Sequence, residues 1–161
     1  FSLWINKGLA LQELNEHQEA LDAFSKATTL SGNVHEAWNY KGYVFEEIGK
    51  HQEALDAYDK AIQIKPDFVI AFNNKGLLQD TMGNHLEAIE TYNKALTIKP
   101  DLDIAWFNKA CAEALLSNKE GALSSLKKAI ELNQSFKRIA RTNPDFSKIK
   151  DDPDFINVVG N

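Results

Sequence analysis

One cysteine, one methionine and four prolines in 161 residues leave this chain little covalent or backbone bracing. Cys111 has no second thiol to pair with, so no internal disulfide can form, which suits a reducing compartment without demanding one. No apolar run approaches the roughly 18–20 residues that a bilayer span needs. Glycine-rich phosphate loops and nucleophile elbows are missing as well. Positive charge is in deficit, with 18 Lys+Arg against 23 Asp+Glu and a net charge of −5. The deficit is concentrated between Phe1 and Asn133, which carry 13 basic and 19 acidic residues; the rest carries 5 and 4. Phosphate backbones would be repelled, which argues against a nucleic-acid partner. A content of 43% apolar and 25% charged residues belongs to a folded chain of single-domain length rather than a disordered one. The expectation is a cytoplasmic protein with no cofactor and no membrane partner. Because it opens at Phe1 without Met, on the first position of a repeat, it is expected to be a fragment of a longer protein.

What the chain does have is a self-repeat of 34 residues, visible in Trp4-Ile5-Asn6-Lys7-Gly8, Trp38-Asn39-Tyr40-Lys41-Gly42, Phe72-Asn73-Asn74-Lys75-Gly76 and Trp106-Phe107-Asn108-Lys109-Ala110. Counting each unit from Phe1, His35, Val69 and Asp103, the second and third agree at 15 of 34 positions without a gap. Position 20 is Ala20, Ala54, Ala88 and Ala122; position 24 is Phe24, Tyr58, Tyr92 and Leu126; position 27 is alanine throughout. Residues at 4, 8 and 11 share one helical stripe, and those at 20, 24 and 27 share another, which predicts two antiparallel helices per unit, A (about 2–14) and B (about 17–30). Position 15, with Asn15, Gly49, Gly83 and Ser117, separates them at a left-handed turn. Pro66 and Pro100 end helix B, a task that Ser31-Gly32 takes in the first unit. Small residues at positions 8 and 20 let the helices approach closely, and the aromatic at 24 fills the space beside them. A repeat of this length marks a stacked helical array, which points to an interaction module rather than an enzyme.

The spacing W-x2-K-G-x2, followed by A-x3-F/Y-x2-A, resembles the tetratricopeptide repeat family over about residues 1–134. Lys at position 7, where the family has Leu, and the missing proline in the first and last units are departures. The resemblance implies an all-α fold: an α-solenoid of four helix-turn-helix units (1–34, 35–68, 69–102, 103–134) in a right-handed superhelix. Residues 135–161 then form a C-terminal helical cap. Asn143-Pro144-Asp145-Phe146 and Asp152-Pro153-Asp154-Phe155 each pair an N-cap candidate with proline at the first turn. After a helix near 135–141, two short helices should lay Phe146, Ile149, Phe155 and Val158 over the open edge of the last repeat.

Candidate catalytic chemistry is absent. His17, His51 and His85 recur at position 17. Equivalent residues in neighbouring units stand roughly 10 Å or more apart, given helix axes about 8–10 Å apart, too far to share a zinc ion with bonds of about 2.0–2.1 Å. A structural role at the start of helix B is expected instead. Cys111 reads as an apolar filler, and Trp4, Trp38, Phe72 and Trp106 as packing.

Arrays resembling this one present helix A positions 2, 5, 6, 9, 12 and 13 to a concave groove. At those positions stand Asn6, Tyr40, Asn74 and Asn108, with Asn39 and Asn73 beside them. Carboxamides both donate and accept, so a ladder of them can hold an extended peptide backbone; equally, they can solvate the groove or bond the adjacent helix. Leu9, Tyr43, Leu77 and Cys111, with Ile5, Ile70, Ile104 and Phe107, give apolar footing. Glu13, Glu46, Glu47 and Asp80 form an acidic strip, replaced in the fourth unit by Ala114 and Leu115. The expected partner is therefore a protein or peptide segment with basic and apolar residues. Family members that clamp the acidic tails of chaperones carry Lys, Asn and Arg where this chain has Ile5, Leu9, Tyr40 and Ile70, so that mode is not expected. The leading expectation is a non-enzymatic scaffold with a peptide-binding groove. Self-association through Phe1, Leu3 and Trp4, or a recruiting region of a larger enzyme, are the alternatives.

Overall fold

The computed structural model describes residues 1–31 and 34–160. All of the regular structure in them is helical, and the chain divides into two compact units, Phe1–Leu78 and Gln79–Asn161, with the division inside one helix.

The first unit contains α1 (Ser2–Glu13), α2 (His17–Leu30), α3 (His35–Glu47), α4 (His51–Ile64) and most of α5 (Val69–Thr81). Odd-numbered elements are the A helices and even-numbered ones the B helices. The A/B pairs of the first two repeats close on a small-to-aromatic contact. Phe24 and Tyr58 are fully buried, and a methyl group added to Gly42 would come within 2.6 Å of the Tyr58 ring. Gly8 meets Phe24 in the same way. Ala20, Ala27, Ala54 and Ala61 complete the seam with no exposed surface. Phe24 also stacks on Tyr40 of the next repeat, with ring centroids 5.4 Å apart.

The second unit contains the end of α5, then α6 (His85–Ile98), α7 (Asp103–Leu115), α8 (Lys119–Leu132), α9 (Phe136–Thr142), a 3-10 turn at Pro144–Phe146 and α10 (Pro153–Val159). Here the A/B seam of α7 and α8 is relaxed: Ala110 replaces glycine and Leu126 replaces the aromatic, both fully buried. The extra methyl on one side is matched by a smaller side chain on the other.

The A-to-B turn has one solution in all four repeats. Asn15, Gly49, Gly83 and Ser117 have φ of 58°, 76°, 84° and 61°. In each, the following N–H reaches back to close the helix end: Glu16 to Leu11, Lys50 to Phe45, Asn84 to Gln79 and Asn118 to Glu113, all at 2.8–2.9 Å. Asn15 and Ser117 hold a left-handed conformation that glycine adopts more readily. Helix B ends on an extended residue, Lys65 before Pro66 and Lys99 before Pro100, as the residue preceding proline prefers. Ser31 and Asn133 are also extended, without a proline. Asn133 Oδ1 accepts from the Ser135 N–H at 3.1 Å and its amide donates to Asp103 at 2.8 Å. Gly32, expected to stop α2 together with Ser31, lies outside the described residues.

The C-terminal segment packs onto α7 and α8. Phe136, Phe146, Ile149, Phe155 and Val159 are buried in one cluster with Phe107, Cys111 and Leu126, and Val158 lies partly buried against it. Asn143 and Asp152 cap their turns by accepting from the N–H groups of Asp145 and Asp154. Polar ties then fix the segment: Lys119 bridges Asp152 at 2.9 Å, Lys148 donates to Ser117 Oγ at 3.1 Å, and Arg141 donates to the Val159 carbonyl at 2.8 Å.

Two outcomes follow. Gly42→Ala lowers stability by about 1–3 kcal/mol in urea denaturation, as overpacking does, and loses less in a Tyr58→Leu background, where the ring it strikes is gone. Deleting Asn143–Asn161 uncovers Phe107 and Leu126 and lowers the melting temperature or causes aggregation; a truncated chain that melts with the parent would contradict the packing role.

Candidate functional site

In the first unit, three successive A helices contribute to one depression of about 320 Å³. Its walls are Leu9 and Gln12 from α1, Asn39, Tyr40 and Tyr43 from α3, and Ile70 and Asn74 from α5. Every one of these stands at repeat position 2, 5, 6, 9 or 12, so matching helical phases bring them together. Tyr43 and Ile70 keep 43% and 53% of their surface exposed. Asn6 is exposed and Asn73 and Asn74 are half-buried. Asn39 is buried and accepts a hydrogen bond from the Asn74 amide at 3.1 Å. That bond uses one N–H of Asn74 to tie α5 to α3, so at this point the carboxamide row joins helices to each other. Leu77 is exposed on α5.

The acidic residues are differently placed. Glu13 is exposed. Glu47 lies 3.6 Å from His17 Nδ1. Glu46 accepts from the Tyr58 hydroxyl at 3.0 Å. Burial raises the Glu46 carboxyl above its ordinary value, opposed by the Tyr58 hydrogen bond and by His51. Burial first, then Glu46, also raises the Tyr58 phenol.

In the second unit, Asp80 is half-buried and its Oδ1 lies 2.6 Å from His85 Nδ1. Burial raises the Asp80 carboxyl, the His85 hydrogen bond lowers it, and Asp145 raises it again. Asp80 is one methylene shorter than its counterpart Glu46, and among the described residues the buried Tyr92 hydroxyl has no partner where Tyr58 has one. His17, His51 and His85 are the first residues of α2, α4 and α6, and each lies near an acid of the strip. Their recurrence at position 17 thus has a local partner, which residue spacing alone did not reveal.

Two expected groove residues are not available. Phe107 and Cys111 are each only 5% exposed, covered by the C-terminal segment. Phe136 stacks on Phe107 at 4.5 Å between centroids, and Phe146 meets it edge-on at 6.0 Å. The Asn143 amide lies 3.5 Å from the Cys111 sulfur, and burial pushes the thiol well above its ordinary value. The same helix positions that form an open wall in the first repeats are therefore core here. Asn108 is half-buried, and Ala114 is buried.

Lysine at position 7 proves to be tied to the aromatic at position 4, one turn earlier. Lys7, Lys41 and Lys109 lie over Trp4, Trp38 and Trp106 at 5.4, 4.5 and 5.2 Å from the ring centroids. The third repeat has Phe72, a weaker cation acceptor than tryptophan, and there Lys75 turns to Asp59 at 2.6 Å.

Among the described residues, no three of His, Cys, Asp and Glu are grouped to hold a metal ion, and no helix is long and apolar enough to cross a membrane.

Helix pairs stacked in this way define a helical-repeat scaffold for protein interaction. The tetratricopeptide repeat matches residues 35–68 and 69–102 in one form and residues 1–34 and 104–136 in another, so the chain belongs to the tetratricopeptide repeat family. Solved structures of MamA are similar. One superposes with a TM-score of 0.75 at 27% identity, over 84% of this chain and 79% of that one. A MamA RS-1 double mutant gives 0.79 at 18% identity, over 98% and 91%. MamA from residue 41 to its end, from Desulfovibrio magneticus RS-1, gives 0.74 at 18% identity, over 98% and 92%. At 18% identity the likeness concerns the fold. No curated protein matches the chain by sequence.

The Glu46 environment makes a pH prediction. A carboxyl whose pKa is higher folded than unfolded binds protons more readily in the folded state, so its contribution to stability grows as pH falls through the folded value. Glu46→Gln keeps an acceptor for Tyr58 and removes the titration. In urea melts the variant is therefore more stable than the parent near neutral pH, and the gap closes as pH falls to the ordinary carboxyl value of 4.5.

Proposed function

We propose that the chain binds, without catalysis, a peptide segment of a protein partner along the A-helix face of its first unit. The observation that supports this reading is the depression shared by α1, α3 and α5, with Tyr43 and Ile70 exposed on its walls. Exposed apolar side chains also occur singly elsewhere, as at Leu14 and Leu86; here Tyr43 and Ile70 share one concave wall, the grouping that marks interaction surfaces. Leu9, Tyr43, Ile70 and Leu77 supply footing for apolar side chains of the segment. Asn6, Asn73 and Asn74 offer carboxamides to its backbone, and Glu13 and Glu47 lie where a basic side chain would be attracted. Phe107 and Cys111 take no part, since they support the fold.

The test begins with a peptide selected from a random display library against the full chain. Selected sequences should combine basic and apolar residues. Tyr43→Ser with Ile70→Ser should weaken their binding at least tenfold, a loss of about 1.4 kcal/mol, with helix content and melting temperature near those of the parent. Binding unchanged in this double variant would remove the depression from the account.

A further inference from the structure

Trp38 and Phe45 stand seven residues apart on α3, on the side opposite Tyr40 and Tyr43. With Glu53, Asp56, Ala57, Asp59, Lys60 and Gln63 of α4 they enclose a cleft of about 630 Å³, the size of a side-chain or small-ligand site. It shares no residue with the depression described above.

Positions 11 and 23 of the repeat decide what the floor of this cleft is made of. In the third repeat they are Gln79 and Thr91, and the Thr91 hydroxyl donates to Gln79 Oε1 at 2.7 Å. In the fourth they are Glu113 and Ser125, joined the same way at 2.7 Å. Both pairs are buried and satisfy each other. The first repeat has Leu11 and Ala23, but Lys26 lies over Trp4 at 4.4 Å and the cleft shrinks to about 190 Å³. In the second repeat, Phe45 and Ala57 make the floor apolar, and Lys60, the equivalent of Lys26, lies along the wall and bonds Gln63 at 3.1 Å. The mouth therefore stays open over an apolar floor in the second repeat.

The rim has a sign. Asp59 is matched by Lys75 at 2.6 Å. Asp56 accepts from the Gln52 amide at 3.1 Å, a neutral partner. Glu53 and Asp56 form no ion pair among the described residues. Lys60 also lines the cleft and bonds the neutral Gln63. One cation thus stands against Glu53 and Asp56, and the rim keeps an excess of carboxylate. With the apolar floor it fits an apolar side chain flanked by a cation, and disfavours an acidic one. Arginine suits it better than lysine because its planar fork can engage a carboxylate through two donors.

We propose that the α3–α4 cleft is a second docking site, taking a partner segment that seats an aromatic or branched aliphatic side chain on Phe45 and Ala57 and lays an adjacent arginine against Glu53 and Asp56. The probe is acetyl-Phe-Arg-amide, titrated into the isotope-labelled full chain at low salt, with acetyl-Phe-Glu-amide as the control of opposite charge. Resonances of Trp38, Phe45 and Ala57 should shift in a saturable way, and the control should bind at least tenfold more weakly. Glu53→Gln with Asp56→Asn, two exposed changes that leave the floor intact, should weaken the probe by about threefold to tenfold. Phe45→Gln with Ala57→Thr copies the bonded pair of the third repeat and should abolish the shifts while the helical spectrum is retained. No shift at all, shifts centred on Tyr40 and Tyr43, equal binding of the acidic control, or full affinity in the Glu53/Asp56 variant would each overturn the proposal.

Discussion

A methyl group has no room at Gly8 or Gly42, and most of the repeat architecture depends on that. The ring of Phe24 or Tyr58 lies where a Cβ would go, so helix A and helix B of a repeat meet at one relative rotation. Interiors packed this closely do not tolerate a neighbouring register. Once the A helix is fixed in rotation, positions 2, 6 and 9 are turned away from its B partner, while the acid at position 12 stays within reach of it. In the first unit this alone brings residues as distant in sequence as Leu9 and Ile70 to the walls of one depression. The exposed A-helix face is thus a consequence of the packing face, set by glycine and aromatic residues buried behind it.

Around that fixed seam, the variable positions tune each repeat separately. Position 7 carries lysine throughout, and what it does depends on position 4: tryptophan holds it in a cation–π contact, whereas phenylalanine in the third repeat releases it to Asp59. Position 12 carries an acid in the second and third repeats, and one methylene decides its partner. Glu46 reaches Tyr58, while Asp80 is held by His85. Positions 11 and 23 change together from an apolar pair to a hydrogen-bonded one. The acid at position 12 and the pair at positions 11 and 23 are matched within their own repeat, whereas Lys75 reaches back to Asp59 of the second repeat, a nearest-neighbour term.

The helix boundaries, the left-handed turns and the A/B seam were legible in the sequence because each recurs at a fixed offset, and recurrence separates a constraint from an accident. Features that depend on a single pair were not. The spacing of His85 and Asp80 is the same as that of His51 and Glu46, yet only the former lie 2.6 Å apart. Lysine at position 7 looked like a departure from the family pattern because a sequence gives its position along the helix but not the ring beneath its side chain. The C-terminal segment was legible as short helices through its Asn-Pro and Asp-Pro starts. That it lies over the last repeat was legible too; how far the cover extends onto α7 was not, since nothing repeats there to set the phase, and so Phe107 and Cys111 read as groove residues.

That last substitution of roles explains why the fourth repeat drifts. Position 5, which holds Ile5, Asn39 and Asn73 earlier, becomes Phe107, the centre of an aromatic group with Phe136 and Phe146, to which Phe155 is joined at 5.5 Å from Phe146. An aromatic cluster of this size contributes more by burial than a carboxamide could in the same place. It lets Leu126 replace an aromatic in the seam without loss of core. One helix surface can serve recognition or folding but not both at once, because recognition needs apolar side chains kept wet and folding needs them dry. In the first unit Tyr43 and Ile70 are kept wet; in the second, Phe107 and Cys111 are dry under the chain's own C-terminal segment. Apolar side chains therefore stay exposed on this face only where no segment of the chain itself already fills it.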